Sequence, residues 1–437
     1  MTSARRLLSA APAFRQLFVA TLASGAGTWL AVVALTVDVY DRTRSGRWVS
    51  ALLIADFLPM IVIGLALGPL FDRLPRRTLL IGADLARLAV FCALPFADSA
   101  GAIVGLAAVA GVATAFFRPT VYAGPPNLVD EGDLPAANSL FQTAERLTGT
   151  LGPLAGGLVV AGSGPTLGYA INAGSFAVSA ALLTRIPAGR LQQGRAASRG
   201  HWRDLVTGFS LLRTSRPLVA VVVVWSLVML GHGFVNVAEV ALVKVTFSAG
   251  DVGFGLLFAA FGVGLVTGSF AAAVVLVRYG IGRVYSAVVA IQAIGVGAAA
   301  VAPSAWVALP LVVLFGLGNG VAVVANPLLV QRGSPDELRG RAFTLAMSVN
   351  FAALGAGMVA AGPVLDALGA RWCWAVAAVL CGVAAVVAAG WLNRNRGLLI
   401  RWSKKDANRL ALLQLASGLI AFKQAHTTQR LTTALPR

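Results

Sequence analysis

The sequence predicts an all-α, polytopic membrane protein with twelve transmembrane helices in two six-helix bundles. Three observations carry this. Of its 437 residues 58% are hydrophobic and only 12% charged, a balance a water-soluble fold could hold only by coating its surface with apolar side chains. Apolar stretches of about 20 residues, each long enough to cross ~30 Å of hydrocarbon, recur along nearly the whole chain. The basic residues fall unevenly between those stretches: with both termini inside, 27 of the 35 lie in inner soluble segments and 5 in outer ones.

Cutting the chain where charges and Gly/Pro turn signals interrupt the apolar runs gives the elements in order. The lead MTSARRLLSAAPAFRQLF has no long apolar run with a small-residue cleavage site, so it reads as a short cytoplasmic segment and not a cleaved signal. Six spans follow at 14–39, 49–71, 78–97, 101–125, 136–162 and 166–186, making residues 1–186 an N-terminal bundle. The segment 187–216 carries six arginines and one acid, Asp204, and is expected to be a cytoplasmic linker. Six more spans at 217–241, 252–277, 283–302, 304–330, 342–366 and 372–392 make residues 217–392 a C-terminal bundle.

Beyond them, residues 393–437 hold nine bases and one acid, with an apolar run from Leu410 to Phe422 too short to span. A cytoplasmic tail is expected, with a helix lying on the membrane surface. The net charge of +18 is thus a topology signal and an attraction to anionic headgroups, not a nucleic-acid footprint, because the bases are dispersed between spans. Cys92, Cys373 and Cys381 lie inside apolar runs without metal-ligand or disulfide spacing. The loops GPPNLVDEGDLPAANSLF and ANPLLVQRGSPDELRGRAF occupy like places in the two halves, the weak symmetry of a duplicated chain.

One loop is more specific than topology requires: Gly68-Pro-Leu-Phe-Asp72-Arg73-Leu-Pro75-Arg76-Arg77, between the second and third spans. Gly68 permits close helix contact, Asp72 can accept bonds from a helix N-terminus, and Arg73, Arg76 and Arg77 can pair with acids on neighbouring loops. Such a cluster could latch the cytoplasmic side, or be an ordinary positive-inside loop. At this point the chain resembles the major facilitator superfamily, whose signature loop has this pattern, with Pro75 here in place of its usual second glycine. The equivalent loop of the second half, VRYGIGRV, keeps Arg278 and Arg283 but lacks the acid. The resemblance covers residues 14–392 and implies a secondary transporter.

In the fifth span Gly152-Pro153-Leu154-Ala155-Gly156-Gly157 looks like the antiporter motif of exporters in that superfamily, although Thr143 stands where the motif has a further glycine. Glycines thin a helix for packing and Pro153 removes a backbone bond, which serves either alternating access or packing alone. The stretches FRQLFVATLASGAGTWLAVVAL, LLIGADLARL, FFRPTVYAGPPNLV and SPDELRGRAF resemble the branch containing the enterobactin exporter and macrolide efflux proteins. That resemblance implies export of a siderophore, a macrolide-like compound or a similar amphiphile. The alternative is a facilitator or symporter importing a nutrient.

Ionisable groups within spans cost about 2.5–3.5 kcal/mol each at the bilayer centre, so each invites a functional reading. Asp56 in the second span, Glu145 and Arg146 in the fifth, and His232 in the seventh are candidates for binding protons or substrate; structural pairing is the competing reading. Asp38 and Glu239 lie nearer outer ends, and Asp84 with Arg87, three apart, reads as a structural pair tied to the Asp72 loop. No GxxxxGK[ST], HExxH or GxSxG occurs, so neither ATP-driven pumping nor those hydrolytic chemistries are expected. Gly316-Leu-Gly318-Asn-Gly320 lies inside a span with no strand before it and is read as helix packing. The expectation is a monomeric, non-enzymatic protein of the cell membrane without cofactor or metal, its partners being a small-molecule substrate, protons and the bilayer.

Overall fold

The computed structural model describes residues 3–66, 74–191, 216–332, 334 and 339–394. They form a short helix, Ser3–Ala10, and twelve long ones. The first six are α1 Pro12–Thr43, α2 Gly46–Ala66, α3 Arg76–Ala93, α4 Ala100–Tyr122, α5 Leu134–Ser163 and α6 Pro165–Thr184. The second six are α7 Arg216–Ala241, α8 Gly250–Tyr279, α9 Ile281–Val301, α10 Ala305–Arg332, α11 Arg339–Leu368 and α12 Ala370–Arg394. Eleven are long and apolar enough to cross a membrane. The exception is α5, thirty residues long but with Gln142, Thr143, Glu145, Arg146, Thr148 and Thr150 along its middle. Of the expected linker, 192–215 lies outside the described residues, as does the tail from 395.

Local chemistry explains where the helices end. α1 runs past its expected end at 39 because its polar tail is satisfied in place: Arg42 Nε donates to Asp38 Oδ1 at 2.7 Å, and Tyr169 Oη donates to Asp38 Oδ2 at 2.8 Å. Arg44 in the left-handed region (φ 50°) then closes the helix by donating its N–H to Tyr40 O. Beyond its expected end α7 continues as a π turn, Leu242–Thr246, which carries Lys244. Gly164 (φ 75°) and Gly369 (φ 89°) reverse the chain between α5 and α6 and between α11 and α12, equivalent places in the two halves.

The two sets of six pack alike. α1 lies against α5 and α6, α2 against α4, and α3 against α4 and α6; α7 lies against α11 and α12, α8 against α10, and α9 against α10 and α12. The halves meet chiefly along α2 with α11 and α5 with α8, pairs that exchange under the same repeat. Glycines set the closest approaches, as expected of Gly316-Leu-Gly318-Asn-Gly320. A Cβ at Gly316 or Gly320 would strike the α8 carbonyls of Phe261 or Leu265, and one at Gly318 would stand 2.7 Å from Val288 O on α9.

The buried core is divided by end. Near the α1/α2, α7/α8 and α11/α12 turns a single cluster joins both halves, from Tyr40, Val49 and Tyr169 to Phe234, Phe254 and Trp374. At the other end, which carries the 66–76 loop, there are two clusters. One belongs to the first half around Phe14, Leu17 and Phe141, the other to the second around Trp225, Tyr285 and Leu329.

Candidate functional site

Between the halves lies a cavity of about 570 Å3, within the ~300–1,000 Å3 typical of small-molecule sites. Its wall is mostly apolar and rich in rings. Trp29 stands 6.1 Å from Phe258, Phe261 stands 5.0 Å from Phe315, and Phe57 meets Phe351 edge to face at 5.4 Å across the two halves. Polar groups enter from α1, α2, α3, α4, α5, α7 and α10.

Asp56 faces this cavity from α2 and makes no hydrogen bond or ion pair among the described residues. Its turn of helix is opened by Pro59, which lacks the amide that would bond Ala55 O. The Ala55 and Asp56 carbonyls pack on Gly111 of α4, where a Cβ would stand 2.6 Å from Asp56 O. The absence of a side chain at 111 is what lets the α2 backbone come this close to α4.

Glu145 is placed differently. Arg118 of α4 forms an ion pair with its Oε1, and Tyr122 Oη donates to its Oε2 at 2.6 Å. Arg118 was not among the sequence candidates, although it is the only charge between Asp98 and Asp130, a signal legible in the chain itself. Arg146, next to Glu145, points the other way. Its Nη1 donates to Ser269 Oγ of α8 at 3.1 Å, tying the two halves near the middle of their contact.

His232 lines the cavity from α7 with Nε2 3.3 Å from Gln292 Oε1 and 3.2 Å from Asn319 Nδ2, and its ring lies 4.9 Å from that of Phe315. Asn236 and Glu239, four and seven residues on, share the face and also line the cavity. Glu239 is 6% exposed and has no partner among the described residues. The 232/236/239 spacing would have marked it as a cavity residue; its nearness to a helix end drew attention away.

The Asp84 and Arg87 pair forms, with Arg87 Nη2 donating to Asp84 Oδ1 at 2.5 Å, and residues 67–73 of the loop to which it was expected to be tied lie outside the described residues. Ser179 Oγ of α6 donates to Asp84 Oδ2 at 2.6 Å, and the guanidinium lies 4.1 Å from the Phe117 ring and 4.4 Å from that of Phe176. The pair stands inside the first bundle because the acid, the hydroxyl and both rings satisfy it there.

Of the glycine-rich segment, Gly152 and Gly156 pack on α1, where a Cβ would stand 2.6 Å from Trp29 Cβ and from Leu30 O respectively. Gly157 faces the second half, 2.7 Å from Asp251 O by the same measure, and Pro153 O approaches Gly255. The segment is therefore a close contact surface between α5 and α8 as well as a packing face within the first half.

Gly68, Asp72 and Arg73 lie outside the described residues. Arg76 Nη1 donates to Ala123 O at 2.8 Å and Leu191 O at 3.1 Å, and Arg77 Nη2 to Thr184 O at 2.5 Å. Both satisfy carbonyls at or beyond the C-terminal ends of α4 and α6.

Among the described residues, cross-half ionic contacts gather at the opposite end. Lys244 Nζ donates to Asp41 Oδ2 at 2.6 Å and makes an ion contact with Asp251 Oδ1 at 2.5 Å without hydrogen-bond alignment. Asp366 accepts from Ser45 Oγ at 3.0 Å and from Gly46 N at 2.5 Å, with Arg47 at 3.7 Å. Ser50 Oγ donates to Met358 O at 2.7 Å.

Residues 8–408 match the family model described as transmembrane secretion effector, a group within the major facilitator superfamily. The chain belongs to that family of membrane transporters. The transporter is 26% identical to the multidrug efflux pump Tap of Mycolicibacterium fortuitum over 369 residues, covering 80% of this chain and 88% of that one. It is 27% identical to the enterobactin exporter EntS of Salmonella typhimurium over 366 residues, covering 81% and 86%. Its fold is shared with a crystal structure of the nucleoside transporter NupG, at TM-score 0.70 and 14% identity over 86% of this chain and 99% of that one. A bacterial homologue of the iron transporter ferroportin in an inward-facing state aligns at TM-score 0.68 and 16% identity over 87% and 98%. The transporter is a multi-pass membrane protein and not an enzyme.

Proposed function

We propose that this transporter expels an amphiphilic small molecule in exchange for protons, with the 66–76 loop end and both termini in the cytoplasm. The observation that carries the reading is Asp56, a carboxylate without a partner among the described residues, facing a ring-lined cavity between the halves. A carboxylate in that position can take a proton from one side and release it to the other as the halves rock, which is what antiport requires. Relatives named for multidrug efflux and for enterobactin export favour the outward direction. Orientation follows from the positive-inside distribution of bases.

Within this reading Gly152, Pro153, Gly156 and Gly157 form the bearing on which α5 moves over α1 and α8, and Arg146 with Ser269 adds a bond across that bearing. Glu145, held by Arg118 and Tyr122, shapes the cavity wall, and its release from Arg118 would free a third carboxylate. His232 orients through Gln292 and Asn319. Gly68, Asp72, Arg73, Arg76 and Arg77 act as the latch when the cytoplasmic end closes. The protein works as a monomer, without cofactor.

The test is a proteoliposome assay with an imposed pH gradient, offering siderophores, macrolides and dyes in parallel. Accumulation of at least one amphiphile should follow the gradient and fall about tenfold or more in Asp56→Asn. Accumulation that ignores the gradient and the substitution would refute proton coupling through Asp56. Orientation is read separately: a cysteine at Arg44 should be labelled from outside intact cells, and one at Gly200 should not.

A further inference from the structure

Resting on the export reading, we infer that the substrate is a lipophilic cation, recognised by Glu239 inside the ring-lined part of the cavity.

The charge inventory of the cavity wall is the first argument. Two arginines line it, and both are already neutralised: Arg118 by Glu145, and Arg87 by Asp84 behind the wall. Two carboxylates line it without a partner among the described residues, Glu239 on α7 and Asp56 on α2. His232 Nε2 faces both Gln292 Oε1 and Asn319 Nδ2 and can bond one of the two at a time, donating to the first or accepting from the second. The described wall therefore offers negative charge unopposed by any spare cation. An anion entering it would find no spare cation to pair with and would meet any ionised carboxylate as like charge, whereas a cation can pair with Glu239 in a medium that screens poorly.

Burial is the second. Glu239 is 94% withdrawn from solvent yet lines the cavity, and the described chain provides it with no hydrogen bond. An ionised carboxylate is costly there unless something compensates it, so Glu239 can stand protonated when the cavity is empty and release that proton when a cationic ligand group takes its place. The α7 face that carries Glu239 also presents Asn236 and His232, one and two turns away, which can hold neutral polar parts of the same molecule.

Ring chemistry is the third. Phe254, Phe258 and Trp374 line the same cavity and Trp29 packs on Phe258. Aromatic faces attract cations as well as apolar surface, most strongly when water is excluded. The chain uses that chemistry in its own wall, where the Arg87 guanidinium lies over both Phe117 and Phe176. A delocalised or alkylated cation bearing apolar groups meets all three features at once.

The experiment compares two xanthene dyes of similar shape and opposite charge, cationic rhodamine 6G and anionic fluorescein. Binding to the full-length transporter in lipid nanodiscs is followed by fluorescence polarisation, with empty nanodiscs subtracted and unlabelled tetraphenylphosphonium as a second cation. Rhodamine 6G should bind saturably and be displaced by tetraphenylphosphonium, with fluorescein at least tenfold weaker. Glu239→Gln should weaken both cations tenfold or more and Glu239→Asp by less, with elution and thermal unfolding profiles like those of the parent. Equal binding of the two dyes, absence of saturable binding by either cation, or unchanged cation affinity in Glu239→Gln would overturn the assignment. Gradient-driven accumulation of a neutral or anionic compound, retained in Glu239→Gln, would overturn it while leaving the export reading standing. Absence of gradient-driven accumulation of every compound would sink the export reading instead.

Discussion

The two ends of this molecule are built differently. At the end with the α1/α2, α7/α8 and α11/α12 turns, one apolar core runs through both halves, and Lys244 and Asp366 each reach across it to the other half. At the end with the 66–76 loop, the described residues form two cores that do not merge. The difference teaches how a duplicated bundle can hold its two ends apart in state: one end is sealed by packing and ion pairs, while at the other Arg76 and Arg77 donate to carbonyls of the first half. Since α2 with α11 and α5 with α8 are exchanged by the internal repeat, sealing the other end calls for a rocking of the halves over the same four helices.

The sealed end should be most sensitive where helix backbones touch. A leucine at Gly157 would put its Cβ 2.7 Å from Asp251 O and 3.0 Å from Gly255 Cα, so α5 and α8 must part. Overpacking of this kind costs about 3 kcal/mol, roughly a hundredfold against the sealed arrangement. Gly157→Leu should therefore abolish transport while the protein still inserts, as shown by uptake beside membrane abundance. Normal transport would remove the bearing role of α5.

Next comes the ionic contact. Lys244 is only 12% exposed in its side chain and neutralises two acids, one from each half, so Lys244→Met leaves Asp41 facing Asp251. With Asp41 partly exposed, the expected loss is about 2 kcal/mol, roughly thirtyfold in the sealed population. Faster alkylation of a cysteine placed at Thr36, a residue buried in the cavity wall, would report it. Asp366→Asn keeps the shape but weakens the bonds from Ser45 and Gly46, for about 1 kcal/mol and a fivefold change by the same assay.

A change no larger than this is expected at the other end. If Asp72 latches that end only when it closes, Asp72→Asn should slow transport about fivefold and leave alkylation at Thr36 unchanged in the resting protein. An effect on Thr36 would mean that the two ends are not independent in the way the divided core implies.

Much of the fold was legible because bilayer thickness and charge placement constrain a sequence strongly. Each of the twelve expected spans has its helix, and the departures are at ends, as at Arg42, which pairs with Asp38 one turn back and donates to Ala97 O, and at Lys244, which pairs with Asp41 of the other half. The Gly316-Leu-Gly318-Asn-Gly320 segment was readable as packing because a glycine every second residue inside a span has little else to do. The cavity was less legible. Asp56 and His232 were found by charge alone, but Glu145 and Arg146, adjacent in sequence, point to different helices because successive residues turn by about 100°. Arg118 was passed over and Glu239 underrated, since which acid keeps a partner depends on what α4 and α7 face, and no local pattern records that.

The central claim is that the two ends seal in alternation, and paired spin-label distances test it most directly. One pair, Asp98→Cys with Trp306→Cys, spans the halves at the sealed end; the other, Glu131→Cys with Tyr279→Cys, spans them at the loop end, all four positions being exposed and Cys92 replaced by serine. In lipid nanodiscs at rest the sealed-end pair should give one narrow distance, and changing the pH or adding a transported compound should lengthen it while shortening the loop-end pair. Distances that move together at both ends, or a loop-end pair that never shortens, would contradict alternation between these two cores.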